Sequence, residues 1–244
     1  MSRDRHVVDA VALLQRVAAR HRSSALASSF GAEDMVLTDL IAKHALPIAI
    51  FTLDTGRLPG ETYALIDRVR EHYALPIEVL YPDARALEAY VRVNGVNGFY
   101  RSVELRQRCC AIRKAAPLAR ALAGRGAWIT GQRRAQSVTR SDLGVEEFDV
   151  EHNLPKFNPL AAWTDDEVWG YLRAHDVPTN PLHARGYPSI GCAPCTRAVE
   201  PGADPRSGRW WWENPDSREC GLQPRRRVIP LKVEPRRAVA SAGC

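Results

Sequence analysis

The sequence predicts an α/β fold, a mainly parallel sheet with helices on both faces, followed by a flexible C-terminal segment. Three observations carry that expectation. Short apolar runs of strand character alternate with amphipathic stretches, most of the strand-like runs pass into loops of turn residues, and regular periodicity stops near Pro178. Strands alternating with helices build a parallel sheet covered on both sides. Right-handed crossovers then gather the loops after the strands at one sheet edge, where open α/β sheets bind ligands.

Val7, Val11 and Leu14 recur at helical spacing, so 7–21 reads as an amphipathic opening helix. The apolar run 24–28, the turn Phe30-Gly31-Ala32-Glu33-Asp34 and the helical MVLTDLIAKHA then form strand, turn and helix. IAIFTLD, the loop TGRLPGE and TYALIDRVREH repeat that unit, and IEVLY and AWITG are two further strands, each preceded by a helical stretch. Thr164 ahead of Asp165, Asp166 and Glu167 is a capping box that opens a helix through about His175. Beyond Pro178, Pro, Gly and Arg dominate. Residues 1–178 are therefore expected to form the α/β domain, and 179–244 a segment without a core of its own.

Composition bounds the function. The 244 residues are 45% hydrophobic and 25% charged, which is globular and large enough to need no disulfide staples. The apolar runs are too short for a membrane span, and the start MSRDRHVVDAVALLQRVAARH has no apolar signal region, so a cytoplasmic location is expected. In a reducing compartment the six cysteines are read first as metal ligands or catalytic thiols. The net charge of +6 suits an anionic small molecule, an acidic protein or nucleic acid, and does not choose among them.

The cysteines narrow the choice. Cys109 and Cys110 are adjacent, Cys192 and Cys195 form a CxxC, and Cys220 and Cys244 stand alone. Neighbouring side chains on a helix diverge by about 100°, an awkward fit to one small tetrahedral zinc. An iron–sulfur cube offers each thiolate its own iron, so the two clips favour a 4Fe–4S cluster. An all-thiolate zinc site and buried unliganded cysteines stay open alternatives. Lys114, one turn after Cys110, could offset the charge of such a cluster or bind an anion, although the default for such a lysine is a solvated helix face shared with Arg113. Cys220 lies in RECGL, with Arg218 and Arg225, Arg226 and Arg227 as cations that would lower its pKa. The terminal Cys244 reads as incidental.

The ordered series SSFGAEDMVLTDL, LDTGRLPGETY, RCCAIRK, TGQRRAQSVTR, KFNPLAAWTDDEVW, GCAPCTR, GRWWWE and ECGL, spanning about residues 24 to 222, resembles the assimilatory adenosine 5′-phosphosulfate reductases. The resemblance implies an adenine-nucleotide α-hydrolase-like domain and reduction of adenylyl sulfate to sulfite and AMP, with thioredoxin or a glutaredoxin-like protein as partner. It implies that Cys109, Cys110, Cys192 and Cys195 hold a 4Fe–4S cluster and that Cys220 is the nucleophile. Ser28 and Asp34 of the loop after the first strand, Leu53, Lys114, Gly131, Arg140, Arg206 and Arg209 inherit substrate binding. For Asp34 the plain alternative is a helix cap, and for Leu53 and Gly131 it is strand-end packing. Trp210-Trp211-Trp212 is expected to pack the tail onto the domain rather than to form a nucleotide platform.

The motif departs from the family at Gln223, where a histidine usually follows ECGL. Arginines around Cys220 are expected to keep it reactive without that histidine. Four cluster cysteines favour the unphosphorylated nucleotide. A cluster-bearing enzyme that also accepts the 3′-phosphorylated form is the runner-up, ahead of a tRNA-thiolating enzyme and of a zinc-stabilised binding module. SSFGAED departs from the ATP-binding SGGxDS loop that tRNA thiolation needs, so no nucleic-acid or membrane partner is expected. A homo-oligomer is compatible with the sequence.

Overall fold

The computed structural model of the chain describes residues 2–136, 140–214 and 228–230. Helix α1 (Ser2–Arg20) opens the chain, and β1 (Ala25–Ala27), α2 (Ala32–Lys43), β2 (Ala49–Leu53), α3 (Gly60–Tyr73) and β3 (Ile77–Leu80) follow in alternation. Next come α4 (Ala84–Asn94), α5 (Val103–Cys110), α6 (Ala116–Leu122), β4 (Trp128–Ile129), β5 (Glu146–Asp149), β6 (Leu154–Phe157), α7 (Asp165–Ala174) and β7 (Val228–Pro230).

One seven-stranded sheet runs β3-β2-β1-β4-β6-β5-β7. β1 is parallel to β2 and β4, β2 to β3, and β4 to β6, while β5 runs antiparallel to both β6 and β7. The expectation of a mainly parallel sheet holds, with one antiparallel edge added. Leu26 registers with Ile50 on one side and Ile129 on the other. The chain builds outward from β1 through β2 and β3, then returns to lay β4 on β1's other side. That reversal opens a crevice at the carboxyl ends of β1 and β4, where such sheets take ligands.

Both faces are covered. Leu13, Leu14 and Val17 of α1 pack with Met35, Val36, Leu40 and Ile41 of α2, Leu65 and Val69 of α3 and Tyr171 and Leu172 of α7 in the larger core. Leu118, Ala121 and Leu122 of α6 close the other face against Ala25, Phe51, Trp128 and Leu154. A third cluster joins Phe99 and Cys110 to Cys192, Cys195 and Trp210.

Thr164 forms the expected capping box, its hydroxyl accepting from the Glu167 N–H while the Glu167 carboxylate accepts from the Thr164 N–H. Helix α2 begins three residues before the apolar run that suggested it, because Glu33 and Asp34 suit its first turn. Helix α4, which the periodicity missed, is set by its ends: Asp83 accepts from the Ala86 N–H, and Gly95 follows with φ 72°. Residues 179–214 have short turns of 3-10 helix but pack firmly, with Leu182, Cys192, Cys195 and Trp210 all buried. Among the described residues no helix is long and apolar enough to cross a membrane.

Candidate active site

A cleft of about 770 Å³ lies on the carboxyl ends of β1, β2 and β4, roofed by segment 183–209. Ser28, Asp34, Leu53, Lys114, Gly131, Arg140, Arg206 and Arg209, the residues singled out for substrate, all line it.

The loop after β1 shapes its floor. Ser28 Oγ accepts from the Phe30 N–H at 3.2 Å, and Phe30 takes a left-handed φ of 59° to bring the chain into α2. Asp34 does not cap its helix, since the N-cap is Gly31 without a side-chain bond. Instead its carboxylate accepts from Ser29 N–H at 2.6 Å and Ser29 Oγ at 2.8 Å, and a backbone bond from Gly131 ties it to the end of β4. Burial pushes its carboxyl up to about 6 against those bonds. Gly131 is required by this contact, because a Cβ there would lie 2.4 Å from Asp34 Oδ1.

Beside Gly131, buried Arg133 reaches Glu33 Oε1 through Nε at 2.9 Å and Nη2 at 2.7 Å, and Nη1 donates to Trp163 O at 3.1 Å. It also bonds Asp165. Arg133 therefore clamps the N-termini of α2 and α7 and spends its charge on their carboxylates. The sequence did not distinguish it from Arg140, two turns of motif away, which bonds Gln136 Oε1 in the cleft.

Arg209 is buried, donating to Ser189 Oγ at 3.4 Å and Ile190 O at 3.2 Å and lying 4.9 Å over the Trp210 ring. Gly191 makes room for it: a Cβ there would come within 2.1 Å of the guanidinium.

A second, small cavity of about 20 Å³ adjoins the cleft. Cys109, Cys110, Cys192 and Cys195 line it together with Arg57, Phe99, Arg106, Arg113, Pro194, Lys114 and Trp210. Lys114 and Trp210 belong to both spaces. Cys109 and Cys110 end α5, and a π-helical turn over Ala111–Ala115 follows. Such wide turns recur at functional sites. This one carries Arg113 inward: Arg113 is 7% exposed and bonds the Thr55 carbonyl, so the solvated-face default is wrong for it. Lys114, half-buried, lines both cavities.

The loop after β2 wraps the same cavity, with Thr55 Oγ1 3.2 Å from Cys192 Sγ and the Ala193 N–H donating to Arg57 O at 2.8 Å. Burial, and then the neighbouring Cys192, push the Cys195 thiol up to about 12, opposed by Lys114 and Arg209. Burial raises Cys109 too, while Arg113 opposes it. Among the described residues no group of three or more His, Cys, Asp or Glu is placed to hold a metal ion.

Sequence reasoning missed Arg57, Arg106, Thr55 and Glu213 around this cavity. For Arg106 a signal existed, its i,i+4 spacing to Cys110. The Trp triplet divides: Trp210 is 1% exposed, Trp212 packs on the cysteine cluster, and Trp211 stays exposed. That is packing of the segment, as expected. Cys220, Cys244, Arg218, Gln223 and Arg225, Arg226 and Arg227 lie outside the described residues.

The topology and the cleft at the strand reversal define an α/β protein of the doubly wound class with a ligand-sized crevice. Residues 23–198 match the phosphoadenosine phosphosulfate reductase domain, and the chain belongs to that family. Its relatives include proteins named adenosine 5′-phosphosulfate reductase, oxidoreductases, from Burkholderia cepacia, 59% identical over 86% of this chain and 84% of the relative, and from Allochromatium vinosum, 56% identical over 91% and 86%. Among solved structures, phosphoadenylyl-sulfate reductase of Candida auris, a phosphate complex, superposes with a TM-score of 0.67 at 25% identity, covering 78% of this chain and 90% of that one. The ammonia-dependent NAD synthetase of Campylobacter jejuni, 12% identical over 78% of this chain and 80% of that one with a TM-score of 0.52, shares the fold.

Proposed function

We propose that the protein reduces adenosine 5′-phosphosulfate to sulfite and AMP, with Cys220 as nucleophile and a thioredoxin-class dithiol protein as reductant. The observation that carries this reading is the shared wall: Lys114 and Trp210 line both the nucleotide-sized cleft and the four-cysteine cavity. The names of the relatives support the unphosphorylated substrate.

The adenosine half would sit against the ends of β1, β2 and β4, at Ser28, Asp34, Leu53 and Gly131. Lys114, Arg140, Arg206 and Arg209 would hold the phosphosulfate, arginine being suited to bidentate oxyanion contacts. The Cys220 thiolate attacks the sulfate sulfur, forming an S–S bond as the S–O bond to phosphate breaks and AMP leaves with the electron pair. A reductant thiolate then attacks Cys220 Sγ and releases sulfite with the electrons of the S–S bond. The reductant's second thiol resolves the mixed disulfide, which restores Cys220 and leaves the reductant oxidised. Arg218 and the run Arg225 to Arg227 would keep Cys220 ionised where Gln223 replaces the family histidine.

A 4Fe–4S cluster on Cys109, Cys110, Cys192 and Cys195 suits the donor set. Three buried thiols and the half-buried Cys109 line one cavity ringed by Arg57, Arg106, Arg113 and Lys114. When bound, that cluster supplies a rigid, negatively charged anchor beside Lys114 rather than the reducing electrons.

A single-turnover experiment tests the reading. Protein carrying about four iron and four sulfide per chain should release stoichiometric AMP from the substrate before any reductant is added, and sulfite only afterwards. Cys220→Ser should bind substrate yet form no S-sulfonate. A sulfonate still found by mass spectrometry, on Cys244 for instance, removes Cys220 from its role. A Cys220 pKa at or above about 8.5, read from alkylation rate against pH, removes the activating arginines.

A further inference from the structure

Arg106 sits on α5 one turn before Cys110, with no exposed surface at all. Its Nε donates to Glu213 Oε1 at 2.9 Å and its Nη2 to Oε2 at 2.8 Å, a two-bond fork onto a carboxylate that is itself 3% exposed. The guanidinium lies 4.8 Å over the Trp210 ring, and it also hydrogen-bonds the Cys110 side chain. Glu213 in turn donates its N–H to Trp210 O at 2.8 Å. One arginine thus joins the double-cysteine helix to the Trp210–Glu213 turn.

Stability alone is a weak reason for such a pair, because well-packed apolar residues often replace a buried ion pair at no loss. The guanidinium has five N–H donors in a rigid plane. Fixing two of them on Glu213 sets where the others point, and the sulfur of Cys110 is among their acceptors. Hydrogen bonds to ligand sulfurs, and charges near them, set the electronics of a metal centre. Arg57, Arg106, Arg113 and Lys114 line the cavity without a carboxylate among the described lining residues, and Glu213, behind Arg106, is the acid paired with Arg106.

We propose that Glu213 is a positioning residue: through Arg106 it sets the hydrogen bond donated to Cys110 and the charge felt by the cluster, and it ties the stretch around Trp210 to that centre. The inference rests on the cluster reading above. Glu213→Gln keeps the size, removes the charge and replaces one acceptor with a donor facing Arg106. Glu213→Asp keeps the charge and shortens the reach. Arg106→Lys keeps the cation and loses the fork.

Iron-loaded protein is the material for the test. Resonance Raman bands of the Fe–S(Cys) stretches report the geometry and should shift in all three variants. The reduction potential reports the charge: it should move in the positive direction in Glu213→Gln, where a negative charge is lost, and stay near wild type in Glu213→Asp. Iron retention against a chelator should weaken about 10- to 100-fold in Glu213→Gln, the usual cost of losing an outer partner. Bands and potential that coincide with wild type while only the melting temperature falls would overturn the inference and leave a merely structural pair. Should Glu213→Gln fail to fold, Glu213→Asp decides: shifted bands at a kept potential support the proposal, and unchanged bands sink it. Wild-type protein that takes up no iron fails the cluster reading itself, an outcome distinct from any of these.

Discussion

The cleft and the cysteine cavity share two side chains but are assembled by opposite means. The floor of the cleft follows from the sheet: Ser28, Leu53 and Gly131 each follow or end a strand, and the winding of a parallel sheet puts such positions side by side. The cavity is drawn from distant stretches, Arg57 after β2, Phe99 to Lys114 around α5, and Pro194 to Trp210. The first space follows from connection rules. The second exists through side-chain contacts between stretches far apart in the chain, such as that between Arg106 and Glu213, 107 positions apart. The cleft's floor should therefore persist when the cavity fails, and the reverse dependence should be weak too.

The hardest attempt on that separation is Cys195→Ser. It removes one of four converging sulfurs, and iron should be lost almost entirely, with turnover falling to background. Adenosine, which carries no phosphosulfate, should bind as before, as isothermal titration would read. Loss of adenosine binding together with the iron would show that the two spaces are one unit.

Asp34 tests the cleft side by pH. Its carboxyl rises from 3.8 to about 6 because burial disfavours the charged form. The native state then holds the proton more tightly than the unfolded chain. Stability from this group is complete below the ordinary value of 3.8, is lost as pH rises through about 6, and is level above. The full swing is on the order of 3 kcal/mol. Asp34→Asn should abolish it, so that urea unfolding of wild type and variant diverges between about pH 4 and pH 7, with iron content equal at both ends. Parallel curves across that range would mean that the Ser29 bonds outweigh burial.

How far each space was legible follows from the same contrast. The short apolar runs and the Gly and Asp turns placed β1, β2 and β4, and with them every strand-end residue of the cleft. The four cysteines stood out in the sequence because adjacent and CxxC thiols are rare without a task, and the structure brings all four onto one cavity. Their cationic ring was not: Arg106 and Arg113 look like any charged helix residue until tertiary packing removes the water around them. β5 and β6 were also missed, since Glu147 and Lys156 are charged side chains turned inward to one another at 3.9 Å, which hides the alternation. Residues 215 to 227, which include Cys220, lie outside the described residues, so the proposed nucleophile rests on its motif.

Gly131→Ala presses on the junction of β4 with α2. The added Cβ would meet Asp34 Oδ1 at 2.4 Å, Glu33 Cβ at 2.9 Å and Asp34 N at 3.1 Å, and two of these atoms belong to a helix start that cannot swing aside. Overpacking of this kind costs about 1–3 kcal/mol, and here it also pushes Asp34 off Ser29. Adenosine affinity should fall with stability while the iron content stays that of wild type. A variant that binds adenosine normally would show that the Gly131 backbone does not lie against the nucleoside.

The smallest expected effect is the most useful calibration. Thr164 caps α7 with its hydroxyl on the Glu167 N–H at 3.2 Å, and Asp165 and Trp169, just inside that helix, line the cleft. Thr164→Ala removes one cap bond at an exposed helix start, worth about 1 kcal/mol, and leaves Arg133 its bonds to Glu33 and to the Trp163 carbonyl. The melting temperature should drop by a few degrees, with adenosine affinity and iron content both held. Because this loss is global and touches neither space, it measures how much of any other variant's effect is general destabilisation. If the cap variant alone weakened nucleotide binding, the rim formed by α7 would be part of the binding surface, and the floor built from β1, β2 and β4 would no longer suffice to explain the cleft.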